Sequence, residues 1–132
     1  MIAVDTSALM AIALDEPEAK ACIAALTSDE EILISAGTVA EALIVSARRN
    51  VGREVARLID ELGMEIVSLT PSSAKRVAQA YERWGKGVHP AGLNLGDCFA
   101  YEVAKVHQCP LLFVGDDFSK TDIKAVLGSE AQ

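Results

Sequence analysis

The chain reads as an α/β protein whose parallel sheet is covered on both faces. Three observations predict this. Short apolar runs of strand length recur at Ile2–Asp5, Ile32–Ser35, Glu65–Leu69 and Leu111–Val114. Segments of helical periodicity separate them, which is the pattern of βαβ units. The 132 residues, 51% hydrophobic and 23% charged, suffice for one domain with a sizeable core and not for two, so residues 1–132 are read as a single domain.

Each helix has a local reason. Ser7–Leu14 reads as a helix whose stretch Ala8–Leu14 is apolar nearly all round and must be buried in the core or in an interface. Pro17–Leu26 follows, with Pro17 suited to a first turn. Thr38 to about Asn50 shows an apolar stripe of Ala40, Leu43, Ile44 and Ala47. Gly52 interrupts. Glu54–Leu62 continues with Val55, Leu58, Ile59 and Leu62, and Gly63 ends it. Thr70-Pro71 opens a long helix as cap and first residue. Its stripe of Val77, Ala80, Tyr81 and Trp84 assigns both aromatic residues to the core rather than to a base-stacking platform. Gly85–Gly92 is a loop that lacks P-loop spacing. Leu95–His107 is a helix, Gly115–Ser119 a turn, and a short helix near Thr121–Leu127 closes the chain.

Composition excludes several classes. A mean hydropathy of +0.26 is too high for a disordered chain. No apolar stretch nears the ~20 residues a spanning helix needs, so no membrane partner is expected. Met1–Asp5 has no basic region and does not read as a signal peptide. Cys22, Cys98 and Cys109 form no C-x-x-C pattern, fit small core residues, and suit a reducing cytoplasm. The net charge of −7 argues against a nucleic-acid partner until its distribution is seen. Residues 1–41 hold eight acids and one base, 42–86 five acids and eight bases, and 87–132 six acids and three bases. A basic middle between acidic flanks fits a polyanion surface beside a site that needs acids.

The acids fall at telling places. Asp5 closes the first strand. Glu41 and Asp97 are placed in the first turns of their helices. Asp116 follows the fourth strand, with Asp117 beside it. In open parallel sheets, sites gather at the carboxyl ends of the strands. Four carboxylates there would repel, each pair by about 3 kcal/mol at ~5 Å and an effective dielectric of ~20. Protonation or a hard divalent cation offsets that repulsion. Thr38-x-x-Glu41 and Asn94-x-x-Asp97 also have capping-box spacing, as does Ser119-x-x-Asp122, where Asp122 is taken as structural.

Val4-Asp5-Thr6-Ser7-Ala8-Leu9 resembles the opening of the PIN-domain nucleases. Thr38-Val39-Ala40-Glu41, Leu93-Asn94-Leu95-Gly96-Asp97-Cys98 and Leu111-Leu112-Phe113-Val114-Gly115-Asp116-Asp117-Phe118 resemble the family's later motifs, in order, over nearly the whole chain. The length and wording are similar to VapC-type toxins of toxin–antitoxin pairs. The resemblance implies a three-layer α/β/α sandwich and Mg²⁺- or Mn²⁺-dependent RNA cleavage at Asp5, Glu41, Asp97 and Asp116, leaving a 3′-hydroxyl and a 5′-phosphate. Asp117 is left open as a substitute or helper for Asp116. Thr6 or Ser7 either orients a carboxylate or water or caps the following helix, and Asn94 either positions Asp97 or caps. The resemblance also implies a VapB-like antitoxin and a homodimer.

Arg49, Arg53 and Arg57 would align with each other if the helix ran through Gly52, and with Arg48 they offer a weak RNA-binding or partner-binding stripe. Lys75, Arg76, Arg83 and Lys86 extend it. His89 and His107 sit in no ligand spacing. Two other classes differ in what they require of the sequence. A phosphate-switched receiver needs an acidic pair after its first strand and an aspartate after its third, and this chain has neither. A PIN fold without catalysis, serving only to bind partners, is the alternative that a cleavage assay separates.

Overall fold

The computed structural model describes residues 1–28 and 31–127. Strands β1 (Ile2–Val4), β2 (Ile32–Ser35), β3 (Glu65–Val67) and β4 (Leu111–Leu112) form one sheet, ordered β3-β2-β1-β4 and parallel throughout. Six helices accompany it: α1 (Thr6–Ala13), α2 (Ala19–Thr27), α3 (Ala36–Arg48), α4 (Gly52–Glu61), α5 (Pro71–Trp84) and α6 (Leu95–Val106). Pro17 lies in the turn before α2 rather than in its first turn.

Strand alternation divides the core into two layers. Ala3, Leu33 and Leu111 face one way and pack with Val77, Ala80 and Trp84 of α5 and with Cys98, Tyr101 and Val103 of α6. Ile2, Val4, Ile32, Ile34 and Leu112 face the other way, toward Leu9, Cys22, Leu26, Val55 and Ile59 of α1, α2 and α4. Burial on both faces explains why the runs of β1, β2 and β4 are continuously apolar rather than alternating; β3, at the sheet edge, is the exception, with Glu65 and Ile66 exposed. The three-layer α/β/α sandwich follows. All three cysteines are buried and free, as expected of core residues. Among the described residues, no helix is long and apolar enough to cross a membrane.

Four expectations change. The segment expected as a short helix near Thr121–Leu127 is extended. Leu111 N–H donates to Lys124 and Val126 N–H donates back to Leu111, at 2.8 and 3.0 Å, so this segment supplies the partner that the open edge of β4 requires. Asp122 is structural but caps nothing: it accepts hydrogen bonds from Tyr101 Oη (2.7 Å) and Lys105 Nζ (3.1 Å). The expected stripe of α3 is turned outward. Ala40, Leu43, Ile44 and Ala47 are exposed, while Gly37, Thr38, Ala42 and Ser46 face the core. Small residues at those four positions let α3 lie close to its neighbours, and that closeness outweighs the larger apolar stripe. Tyr81 is also exposed, although Val77, Ala80 and Trp84 of the same stripe are buried.

Trp84 Nε1–H donates to Tyr101 Oη at 2.9 Å, and that hydroxyl donates onward to Asp122, tying α5, α6 and the terminal strap together. Tyr101→Phe leaves the buried indole without its acceptor and removes a donor to a carboxylate. It is expected to cost about 1–3 kcal/mol of stability. Urea denaturation should show a lower midpoint at unchanged slope, and an unchanged midpoint would refute the coupling.

Candidate active site

Asp5 directly follows β1 and caps α1. Its Oδ2 accepts from Ser7 N–H (3.1 Å) and Ser7 Oγ (2.7 Å). Ser7 Oγ in turn accepts from Val114 N–H at 3.0 Å, so one hydroxyl joins the ends of β1 and β4. The Asp5 carboxylate is buried, and its second oxygen, Oδ1, has no hydrogen-bond partner among the described residues. Burial pushes its pKa up to about 7 against the pull of the Ser7 bonds, with added repulsion from Asp97 and Glu41.

Glu41 arrives by an unexpected route. The strand runs straight into the helix, and Ser35 caps α3 by accepting from Gly37 N–H, so Glu41 stands in the second turn and not the first. Thr38, expected as a cap, is wholly buried with its hydroxyl unpartnered among the described residues. The Glu41 carboxylate lies on Gly96, at the first turn of α6, where a Cβ would overlap it. Thr6 Oγ1 donates to Glu41 Oε1 at 2.6 Å. Thr6 and Ser7 therefore orient carboxylates, and the capping of α1 is done by Asp5.

Asp97 does both things its spacing allows. Asn94 Oδ1 accepts from Asp97 N–H (2.8 Å), and Asp97 Oδ2 accepts from Asn94 N–H (3.0 Å), a complete capping box that fixes the carboxylate at the helix start. Burial raises its pKa to about 6, against the Asn94 bond, with further repulsion from Asp117 and Glu41. Asp117 is thus the member of the Asp116–Asp117 pair whose charge is felt at Asp97. The Asp116 carbonyl accepts from both Ser119 N–H and Ser119 Oγ and closes the turn, and Phe118 anchors that turn in the core.

Three chain segments thus bring Asp5, Glu41 and Asp97 together at one sheet edge, and a fourth brings Asp117 near Asp97, while Asp116 is exposed in the same turn. Among the described residues, no three of the carboxylates already form a coordination shell. The donor set nevertheless suits a hard divalent cation. It is all oxygen, it includes a buried acceptor without a partner, and burial, with a smaller contribution from neighbouring carboxylates, holds two of its pKa values high.

The arginines do not align. Asn50 adopts a left-handed conformation (φ 61°) and α4 restarts at Gly52, so Arg48 and Arg49 belong to a different helix end from Arg53 and Arg57. Arg48, Arg49 and Arg53 are exposed, and Arg57 pairs with Glu61 at 3.3 Å. His89 is structural: its ring packs edge-on against Trp84, and Nδ1 accepts from Ala91 N–H. Sequence reasoning missed Gly96 and Gly37. The available signal was a glycine one position before an acid in a helix's first turn, where a propensity argument alone would disfavour it.

The PIN domain family profile matches residues 2–124. Ribonuclease VapC30 of Mycobacterium tuberculosis is 42% identical over 126 residues, covering 93% of this chain and 96% of that protein. The crystal structure of Mycobacterium tuberculosis VapC20, described as a sarcin-ricin loop cleaving toxin, superposes with a TM-score of 0.78 at 15% identity, covering 96% of this chain and 98% of that one. A toxin–antitoxin complex from Klebsiella pneumoniae contains a chain that superposes with a TM-score of 0.69 at 19% identity, covering 92% of this chain and 93% of its own.

The raised pKa values set a pH dependence. Between the ordinary aspartate pKa and about 7, the folded chain holds protons that the unfolded chain releases, so metal-free stability falls as pH rises. The melting temperature without divalent metal is expected to be lower at pH 8 than at pH 5.5. Asp5→Asn should raise the pH 8 value and flatten the profile. Scanning calorimetry of both chains in EDTA tests this, and a parallel profile in the variant would contradict it.

Proposed function

The chain belongs to the PIN-domain family, among its VapC ribonucleases, and from that premise we propose that the carboxylate edge hydrolyses RNA phosphodiester bonds with Mg²⁺ or Mn²⁺. In this reading the protein is the toxin of a toxin–antitoxin pair. The observation that carries the site is Asp5: buried, half-satisfied, and repelled by carboxylates from two other segments, Glu41 and Asp97. Asp5, Glu41, Asp97 and the Asp116–Asp117 turn would hold the cation. When bound, such an ion activates water and offsets charge on the phosphate. Thr6 and Ser7 keep Glu41 and Asp5 in place. Asn94 does the same for Asp97. The products are a 3′-hydroxyl and a 5′-phosphate.

Two surfaces suit the partners of such a toxin. Between α1 and α4, a cavity of about 300 Å³ is lined by Ile12, Ala13 and Leu58 and bordered by Glu54, Arg57 and Glu61. Its apolar floor and charged rim suit an amphipathic antitoxin segment. The outward stripe of α3 continues into α6: Ile44 is 57% and Leu95 59% exposed, and Phe99 lies between them against Gly37. That face suits a second copy of the chain.

Asp5→Asn and Asp97→Asn are each expected to cut Mn²⁺-dependent cleavage of RNA at least about a hundredfold and to abolish the melting-temperature rise that millimolar Mn²⁺ gives the unaltered chain. Full activity in either variant would remove that residue from the centre. In sedimentation, the isolated protein is expected at twice its 14.0 kDa mass. Ile44→Glu should return it to a single copy, and a monomer before substitution would refute the dimer.

A further inference from the structure

The Tyr81 hydroxyl and the Lys86 ammonium stand beside the carboxylate edge unpartnered among the described residues, although both residues' backbones help close α5. Tyr81 is 38% exposed although its stripe is otherwise buried. Its hydroxyl makes no hydrogen bond, and Lys86 makes no ion pair, among the described residues. Both line a shallow cavity of about 560 Å³ together with Ala78, Glu82, Asn94 and Leu95. Asn94 and Leu95 also line the adjoining cavity that contains Glu41 and Gly96. Asn94 is the residue whose backbone N–H holds the Asp97 carboxylate. A single ridge therefore separates the carboxylates from an exposed aromatic ring and a free cation.

We propose that Tyr81 and Lys86 form a nucleotide subsite for single-stranded RNA next to the scissile phosphate, with Tyr81 stacking a base and Lys86 holding a phosphate. The assignment rests on the ribonuclease reading above. In a chain of net charge −7, a side-chain cation near the acids eases the approach of a polyanion, and Lys86 is free to supply it. Single-stranded nucleic acid is held by this combination of aromatic platform and backbone cation. Glu82, the one acid of the cavity, is an acceptor suited to the amino edge of a base. An unpaired lysine beside an exposed phenol favours the polyanionic substrate as the occupant of this cavity, whereas Leu95 also borders the apolar face assigned above to a second copy.

The test uses a 5′-fluorescein single-stranded 12-mer RNA of mixed sequence. Binding is read by anisotropy in Mg²⁺ with the Asp97→Asn chain, and cleavage is read with the otherwise unaltered chain. Tyr81→Leu is expected to weaken binding about tenfold and to raise KM by a similar factor at nearly constant kcat, while Tyr81→Phe keeps both. Lys86→Gln should flatten the slope of log affinity against log salt by about 0.7. Unchanged affinity and KM in Tyr81→Leu, with the unaltered chain active, would overturn the subsite alone. A change of sedimentation in Tyr81→Leu would overturn it in favour of a chain–chain contact. An inactive parent chain would count against the ribonuclease reading, and the anisotropy comparison would still decide the subsite.

Discussion

The carboxylate edge depends on how closely α3 approaches α6. Two glycines permit it, one on each helix. Gly96 leaves room for the Glu41 carboxylate at the start of α6, and Gly37 leaves room for the Phe99 ring on α3. The contacts are reciprocal, so neither helix can shift without disturbing both. A methyl group at Gly96 would displace the acid, and one at Gly37 would displace the ring that fixes the distance. Gly96 also lies where the helix's unpaired N–H groups favour negative charge, which eases the cost of holding Glu41 beside Asp97.

That approach sets the electrostatics. The folded chain brings acids together because hydrogen bonds hold each at a separate station: Asp5 by Ser7, Glu41 by Thr6 and Asp97 by Asn94. Repulsion and desolvation are not removed by these bonds. They appear as the high pKa values of Asp5 and Asp97. The rest of the molecule carries this cost through strands buried on both faces and the Trp84–Tyr101–Asp122 chain of hydrogen bonds. A cation drawn into the cluster would relieve it, so the tension that lowers metal-free stability at high pH would also favour the cation proposed for the site.

Much of this was legible in the sequence, for physical reasons. Continuous apolar runs marked β1, β2 and β4 as strands covered on both sides, but not β3, whose Ile66 is exposed at the sheet edge. Asn94-x-x-Asp97 and Thr70-Pro71 marked helix starts because side chains must satisfy unpaired N–H groups there. Gly63 marked a helix end through its left-handed backbone. What failed was whatever depended on tertiary proximity. The outward turn of Ala40, Leu43, Ile44 and Ala47 was hidden because periodicity weighs large apolar residues, whereas α3 is oriented by its small ones. The terminal strap read as a helix because nothing local records that β4 lacks an edge partner. Tyr81 read as core because a stripe shows which face is apolar but not where a neighbouring helix ends.

The orientation of α3 has a consequence for assembly. The helix turns Glu41 toward Gly96 and Ile44, one turn on, toward solvent. α6 does the same: Asp97 is buried at its start, flanked by exposed Leu95 and followed by half-buried Phe99. Both helices that set the acidic geometry therefore also carry the exposed apolar face. A second chain packed there would press α3 and α6 together along the line of the Phe99–Gly37 contact and reinforce the spacing on which Glu41 depends. Separation of the copies would relax the same two helices. If chains pair on this face as proposed, pairing and the placement of Glu41 would be coupled through one helix–helix contact, with no need for residues to pass between the sites.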